Sequence, residues 1–412
     1  MPIANFLLAL IAIFVAAKLF GELAERIGQP AVLGELIGGL VVGVSGLKLV
    51  DPSNDTIHLL AQLGIVLLLF LIGLQTDLAQ LMRVGASAVV VAVAGVAMTF
   101  AGGYALGMLL GFPTMVSLFL GASLTATSVG ITARVLSDLG HLRDREAQVI
   151  LGAAVVDDIL GVTLLTLMGS GGGLATIART TAIAFGFVIL AIVLGSILAP
   201  VLIRAIERIQ LARGIYFVSL VFALTLAYLA QRAGTAIIIG SFAAGLVLAR
   251  TEKGKEIERQ VHDIVHFFVP IFFVAVGAAI DIRAVSLPFF AIGFALALVA
   301  VGGKIGAGWL APGRGLRRGV IGVGMIPRGE VSLIFAQIGL ASGLLSQGLF
   351  TAITVMVIVT AFLTPLLLRR MLQQSTPEES LVACDVVMEP PMEDEGGATA
   401  AARESYGTPA RP

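Results

Sequence analysis

Apolar stretches of about 20 residues, the length that carries a helix through the hydrocarbon core of a bilayer, follow one another with few breaks from residue 3 to residue 369. Mean hydropathy is +1.02, and charged residues make up 13% of the chain, about half the share of an average soluble domain. So little charge cannot cover a water-facing surface, and the chain needs lipid around it. The fold class that follows is an all-α polytopic membrane protein.

Read with that ruler, the sequence predicts thirteen transmembrane helices at about 3–20, 31–49, 56–76, 85–110, 114–137, 146–168, 175–203, 215–231, 236–250, 260–280, 285–310, 317–340 and 346–369. Turn residues separate them: Gln29-Pro30, Asp51-Pro52, Phe112-Pro113, the run Gly171–Gly173 and Pro312-Gly313. The 49 glycines fit helices that approach closely in a bundle. The first stretch has neither a basic segment before it nor a cleavage site behind it, and reads as a retained helix. From 371 to 412 the apolar pattern gives way to Pro, Glu, Gly and Ala, the composition of a disordered tail, with no pattern of a nucleotide-binding domain.

Lys and Arg set the orientation. Alternate loops and the C-terminal flank gather Arg143, Arg145, Arg204, Arg208, Lys253, Lys255, Arg317, Arg318, Arg369 and Arg370, whereas the opposite loops hold Lys48, Arg179, Arg232 and Arg283. The positive-inside rule then puts the N-terminus outside and the C-terminus in the cytoplasm of a cell (inner) membrane.

Two predicted helices are interrupted. The fifth contains Thr125-Ala126-Thr127-Ser128-Val129-Gly130, a polar and β-branched patch in mid-span. The twelfth contains Gly324-Met325-Ile326-Pro327-Arg328-Gly329-Glu330, where proline removes a backbone donor. If helices 1–6 and 8–13 are two repeats joined by helix 7, both breaks fall on the fifth helix of a repeat, and the second copy runs inverted. Paired interruptions in matching positions point to a substrate site.

Charge in mid-membrane is expensive and marks function. The residues concerned are Asp157, Asp158, Lys304, Arg328 and Glu330. Adjacent carboxylates on a helix diverge by about 100°, so one of the two aspartates can face a cavity while the other faces a neighbouring helix. Carboxylates, with hydroxyl and carbonyl oxygens near Thr127 and Ser128, suit a hard cation. Lys304 needs an acidic partner to keep its charge when buried; Asp157, Asp158 or Glu330 could supply it, unless the lysine snorkels to the interface. Arg328 and Glu330 read as structural, pairing with each other or neutralising half-helix ends. Glu35 and Asp77, nearer predicted helix ends, read as solvated or capping residues. Formal net charge is zero, against a nucleic-acid partner. The single cysteine, Cys384, rules out an intramolecular disulfide, and the four histidines form no metal-ligand motif. No cofactor is expected.

These motifs resemble a known family. Gly34-Glu35-Leu36-Ile37-Gly38-Gly39, the run Ala126–Leu136, Gly152–Asp158 and Pro327-Arg328-Gly329-Glu330-Val331 are together similar to the second family of monovalent cation:proton antiporters, and most of all to its NapA-type sodium/proton antiporters. The resemblance covers about residues 1–370. It implies two inverted six-helix repeats with crossed broken helices, and a homodimer that works as an elevator in sodium and pH homeostasis. Dimerisation helices would lie at about 1–84 and 215–284, a linker helix at about 175–203, and core helices at about 85–168 and 285–370. It also implies that Asp158 is the main sodium-binding carboxylate, Asp157 its neighbour, and Lys304 the partner of Asp157 when no cation is bound. Thr127 and Ser128 would line the crossing. Paired aspartates resemble electrogenic exchangers of sodium or lithium for protons. Gln75 departs from the glutamate of many relatives. A potassium/proton exchanger and a sodium-coupled organic-anion symporter of the same architecture are the alternatives. An intramembrane aspartyl protease is disfavoured, because neighbouring aspartates on one helix cannot converge on one water; the chain is not expected to be an enzyme.

Overall fold

Helix starts follow the local chemistry of the sequence. Asn54 accepts hydrogen bonds from the backbone N–H groups of Thr56 (3.1 Å) and Ile57 (3.4 Å) and opens one helix. Pro30, Pro113 and Ser286-Leu287-Pro288 precede or begin others, where a missing N–H costs nothing. The computed structural model describes residues 3–52, 54–170, 174–209, 214–280 and 286–373. Their regular structure is helical: α1 (Ile3–Arg26), α2 (Ala31–Val42), α3 (Asp55–Gln75), α4 (Leu78–Arg83), α5 (Gly85–Leu109), α6 (Thr114–Ser123), α7 (Val129–Asp138), α8 (Arg145–Ser170), α9 (Leu174–Ile209), α10 (Gly214–Arg232), α11 (Ile237–Ala249), α12 (Gly254–Ala278), α13 (Leu287–Trp309), α14 (Arg318–Gly324), α15 (Glu330–Ala341) and α16 (Gln347–Gln373).

Eight helices among the described residues are long and apolar enough to cross a membrane. Every stretch expected to be helical carries helix, and the fifth and twelfth each carry two short ones, α6–α7 and α14–α15. The extra helix α4 was not expected; Asp77 caps it, accepting from Ala79 N at 2.8 Å and Gln80 N at 3.4 Å. Some helices run further than their apolar parts. α12 begins at Gly254 and α1 ends at Arg26, because charged turns continue the helix through pairs such as Lys253–Glu256 (3.2 Å) and Arg26–Glu22 (3.5 Å). The tail expected to be disordered lies outside the described residues beyond Gln373.

The helices pack in two groups. In one, α1 lies on α2, α2 on α12, α3 on both α11 and α12, and α10 on α11. In the other, α5 contacts α6, α8 and α13, α13 contacts α14, and α6 contacts α15. The long helix α9 touches α8 of the second group and α10 and α11 of the first. α7 leans across, meeting α2 and α3 as well as α8. Glycine sets the closest approaches: a Cβ on Gly34 would stand 2.0 Å from the Phe20 carbonyl oxygen, and one on Gly73 2.3 Å from that of Phe242. Only a residue without a side chain lets these backbones meet.

Candidate functional site

The two helix breaks touch each other. α6 ends at Ser123 and α7 starts at Val129; α14 ends at Gly324 and α15 starts at Glu330. A helix end leaves backbone donors or acceptors without intrahelical partners, and here each segment satisfies some of the other's. Ser128 N–H donates to the Pro327 carbonyl at 2.8 Å. The Thr132 hydroxyl donates to the Gly324 carbonyl, the last residue of α14, at 2.6 Å. Arg328 Nη1 donates to the Ala126 carbonyl at 2.8 Å and to Thr127 Oγ1 at 3.2 Å. The Arg328 backbone N–H in turn donates to Thr360 Oγ1 of α16 at 3.2 Å. Gly329 is needed at this crossing, since a Cβ there would sit 2.8 Å from Cβ and Oγ of Ser128.

Asp157 lies in the middle of α8, beside this crossing, and is fully buried. Its Oδ2 accepts from Lys304 Nζ at 2.5 Å and from Thr127 Oγ1 at 2.6 Å. Lys304, from α13, is also fully buried, which excludes snorkelling and selects Asp157 among its candidate partners. The lysine reaches across because Gly95 of α5 leaves room: a Cβ there would be 2.8 Å from Nζ. Asp157 Oδ1 has no hydrogen-bond partner among the described residues, nor do Nε and Nη2 of Arg328. Unpaired buried polar atoms are costly in structure and common where a group must change partners.

Asp158 points elsewhere, as the 100° divergence requires. It borders a cavity of about 10 Å³, room for roughly one water, whose other walls are Leu69 of α3, Val129 of α7, Leu151 and Val155 of α8, and Ile238, Ile239 and Phe242 of α11. The cavity lies between the two helix groups. Asp158 itself is 3% exposed.

The structure therefore brings together Asp157, Lys304, Thr127 and Arg328 in one network, with the Ser128 backbone tied to the opposite break and Asp158 on the adjoining cavity. Arg328 donates into the break between α6 and α7, at the Ala126 carbonyl. The Glu330 side chain, the other partner considered for it, lies outside the described residues. Ser128 Oγ makes no helix-capping hydrogen bond. One expectation is corrected: Glu35 is neither solvated nor a cap. It is 4% exposed in the second turn of α2, where α2 meets α7, within electrostatic reach of Arg134. Arg134 is bonded to Asp138 at 2.9 Å. Asp77 takes the capping role, one of the two expected for it.

Sequence reading missed Thr132, Thr360, Gly95 and the Met325 carbonyl. The last accepts from Thr127 Oγ1 at 3.2 Å. Gln75, where an acid was expected, donates to Glu258 Oε1 at 3.1 Å and accepts from the Ser137 hydroxyl at 3.4 Å. Chemically the crossing offers hard oxygen donors around carboxylates, the ligand set of an alkali cation. No cluster of three or more His, Cys, Asp or Glu suited to a bound metal occurs among the described residues.

Comparison with known proteins gives the family. The family described as "Sodium/hydrogen exchanger, transmembrane" matches residues 8–374. The chain is 40% identical to the high-affinity Na+/H+ antiporter NhaS3 of Synechocystis sp., over 92% of each chain. It is 38% identical to the Na+/H+-K+ antiporter GerN of Bacillus cereus, over 89% of this chain and 96% of that one. Among solved structures, the sodium proton antiporter MjNhaP1 of Methanocaldococcus jannaschii superposes with a TM-score of 0.68 at 18% identity, over 91% of this chain and all of that chain; at that identity the likeness is one of fold. The chain is thus a multi-pass membrane transport protein, not an enzyme, and belongs to the transmembrane sodium/hydrogen exchanger family.

Proposed function

We propose that the protein exchanges sodium or lithium for protons across a cell (inner) membrane, electrogenically, through a two-aspartate site. The observation that carries the reading is the fully buried Lys304–Asp157 pair, set against the crossing of two broken helices with Asp158 on the next position. The relatives named above, antiporters of sodium and protons by their descriptions, support the substrate class.

In this mechanism Asp158 binds either a sodium ion or a proton, and the two compete. Sodium entering beside Asp158, with oxygens of Thr127 and Ser128 at hand, draws Asp157 away from Lys304. Lys304, losing its counter-charge in an apolar site, gives up a proton. Discharge of both Asp158 and Lys304 moves two protons for one cation, so net charge crosses the membrane. The thirteen-span architecture of two inverted repeats, with the N-terminus outside and the tail in the cytoplasm, supplies alternating access. Helices of the first packing group, with about 1–84 and 215–284, form the dimer scaffold. Those of the second, about 85–168 and 285–370, form the core that moves past it.

Cation-dependent proton movement in proteoliposomes tests this, with sodium, lithium and potassium compared at an imposed potential. A sodium or lithium response that follows the potential is the expected result. A potential-insensitive response would remove the two-proton step, and a response to no cation would favour an organic-anion symporter. A potassium response would keep the site and change the ion. That second reading has its own support: GerN is described as handling K+ as well as Na+, and the subunit KhtU of Bacillus subtilis, a K+/H+ antiporter by description, is 29% identical over 81% of this chain.

A further inference from the structure

Four turns of α12, from Gly254 to about Phe267, stand at the edge of the apolar region and carry most of that helix's polar residues. Among them, His262 and His266 occupy positions one turn apart, so their rings share a face. Their Nε2 atoms are 3.0 Å apart and the ring centroids 4.1 Å apart. Both side chains are exposed, so neither imidazole is committed to the core. Asp263 places its Oδ1 3.9 Å from His262 Nδ1, on the ring edge opposite the convergent nitrogen.

We infer that His262 and His266 form a bidentate site for a divalent transition-metal ion, with copper(II) or nickel(II) preferred over zinc. The distance carries the preference. With metal–nitrogen bonds of about 2.0–2.1 Å, a 3.0 Å separation closes an N–metal–N angle of about 94°. That is the bite of square-planar or octahedral coordination, the geometry of copper(II) and nickel(II). A tetrahedral zinc would need the nitrogens about 3.3 Å apart, a small further opening of the pair. Copper(II) also heads the affinity order for nitrogen ligands.

The surroundings allow the charge. Glu258 lies one turn before His262 on the same face, and Asp263, 3.9 Å from His262 Nδ1, adds a second negative charge nearby. Arg134 of α7, within electrostatic reach of His266, has its own charge met by Asp138. Among the described residues no third His, Cys, Asp or Glu joins the pair in a cluster, so water completes the coordination and the ion exchanges readily. A metal held there places two positive charges on the first helix group within reach of α7, which belongs to the crossing. The site is separate from Asp157 and Asp158 and does not depend on the proposed exchange activity.

The test uses the full-length chain, free of any histidine tag, in detergent or nanodiscs, titrated with copper(II) and read by electron paramagnetic resonance. The expected result is one ion per chain with hyperfine splitting from two equatorial nitrogens. His262→Asn and His266→Asn should each weaken binding by at least about tenfold, since loss even of an outer partner of a metal ligand costs 10–100-fold. His58→Asn, away from the pair, should leave it unchanged. Monodisperse elution of each variant shows that the fold survives these surface changes. Absence of a stoichiometric ion in the wild type would overturn the inference. So would a two-nitrogen signal that persists in either His262→Asn or His266→Asn.

Discussion

Lys304→Met strands a carboxylate. The ammonium group that it removes sits 2.5 Å from Asp157 Oδ2, both side chains are wholly buried, and Asp157 Oδ1 already lacks a hydrogen-bond partner among the described residues. At an effective dielectric of about 20, two unit charges at that distance attract by about 6–7 kcal/mol. Desolvating the pair takes back much of that, but breaking it from one side does not restore the solvation, and such changes cost about 3–5 kcal/mol. The mirror change, Asp157→Asn, leaves the ammonium facing a neutral amide and should cost a similar amount. The double variant, Asp157→Asn with Lys304→Met, buries no net charge at this point. It should be no less stable than the worse single variant, giving a coupling energy of about 3–5 kcal/mol rather than additive losses. Unfolding by sodium dodecyl sulfate from dodecyl maltoside micelles, followed by far-UV circular dichroism, measures all four proteins. Losses that simply add would refute the pairing as an energetic unit, as would single variants within about 0.5 kcal/mol of the wild type.

Other consequences follow from the same geometry. Asp158→Asn should abolish cation-driven proton movement in proteoliposomes while leaving the unfolding midpoint near wild type; retained exchange would displace Asp158 from the site. Lys304→Gln, where exchange survives, should make it insensitive to membrane potential, and persistence of a potential-driven response would show that the lysine carries no proton. Thr132→Val removes the donor to the Gly324 carbonyl and should cost about 1–3 kcal/mol, with Thr132→Ser close to wild type; the same detergent titration distinguishes them. Gly34→Ala forces a methyl group toward the Phe20 carbonyl oxygen, where 2.0 Å is available, and should destabilise by about 1–3 kcal/mol or more through overpacking of α1 on α2.

The helices were legible because lipid imposes one rule on a long apolar segment, and a hydropathy ruler reads it directly. Their charged extensions were not, since side-chain pairs such as Lys253–Glu256 continue a helix after the ruler has stopped. The breaks were legible from Pro327 and from the polar run at Thr125–Ser128. What those breaks bond to was hidden: Arg328 and Ala126 are 202 positions apart in the chain, and no local pattern chooses that partner over Glu330. For Lys304 the need for an acid could be read, but the choice of Asp157 depends on the space left by Gly95. Glu35 misled because proximity to a predicted helix end was taken for exposure. The second turn of a short helix can face a neighbour as readily as water, and here it faces α7.

The walls of the cavity beside Asp158 are, apart from that carboxylate, aliphatic or aromatic side chains, contributed by α3 and α11 on one side and by α7 and α8 on the other. Where two surfaces meet through hydrogen bonds, sliding one past the other breaks each bond before a new one can form, and the barrier rises with every such contact. A hydrocarbon joint has no such teeth. Leu69, Ile238, Ile239 and Phe242 can exchange one set of dispersion contacts for another without exposing an unpaired donor, so the seam beside Asp158 offers little resistance to shear, as a lubricated bearing does.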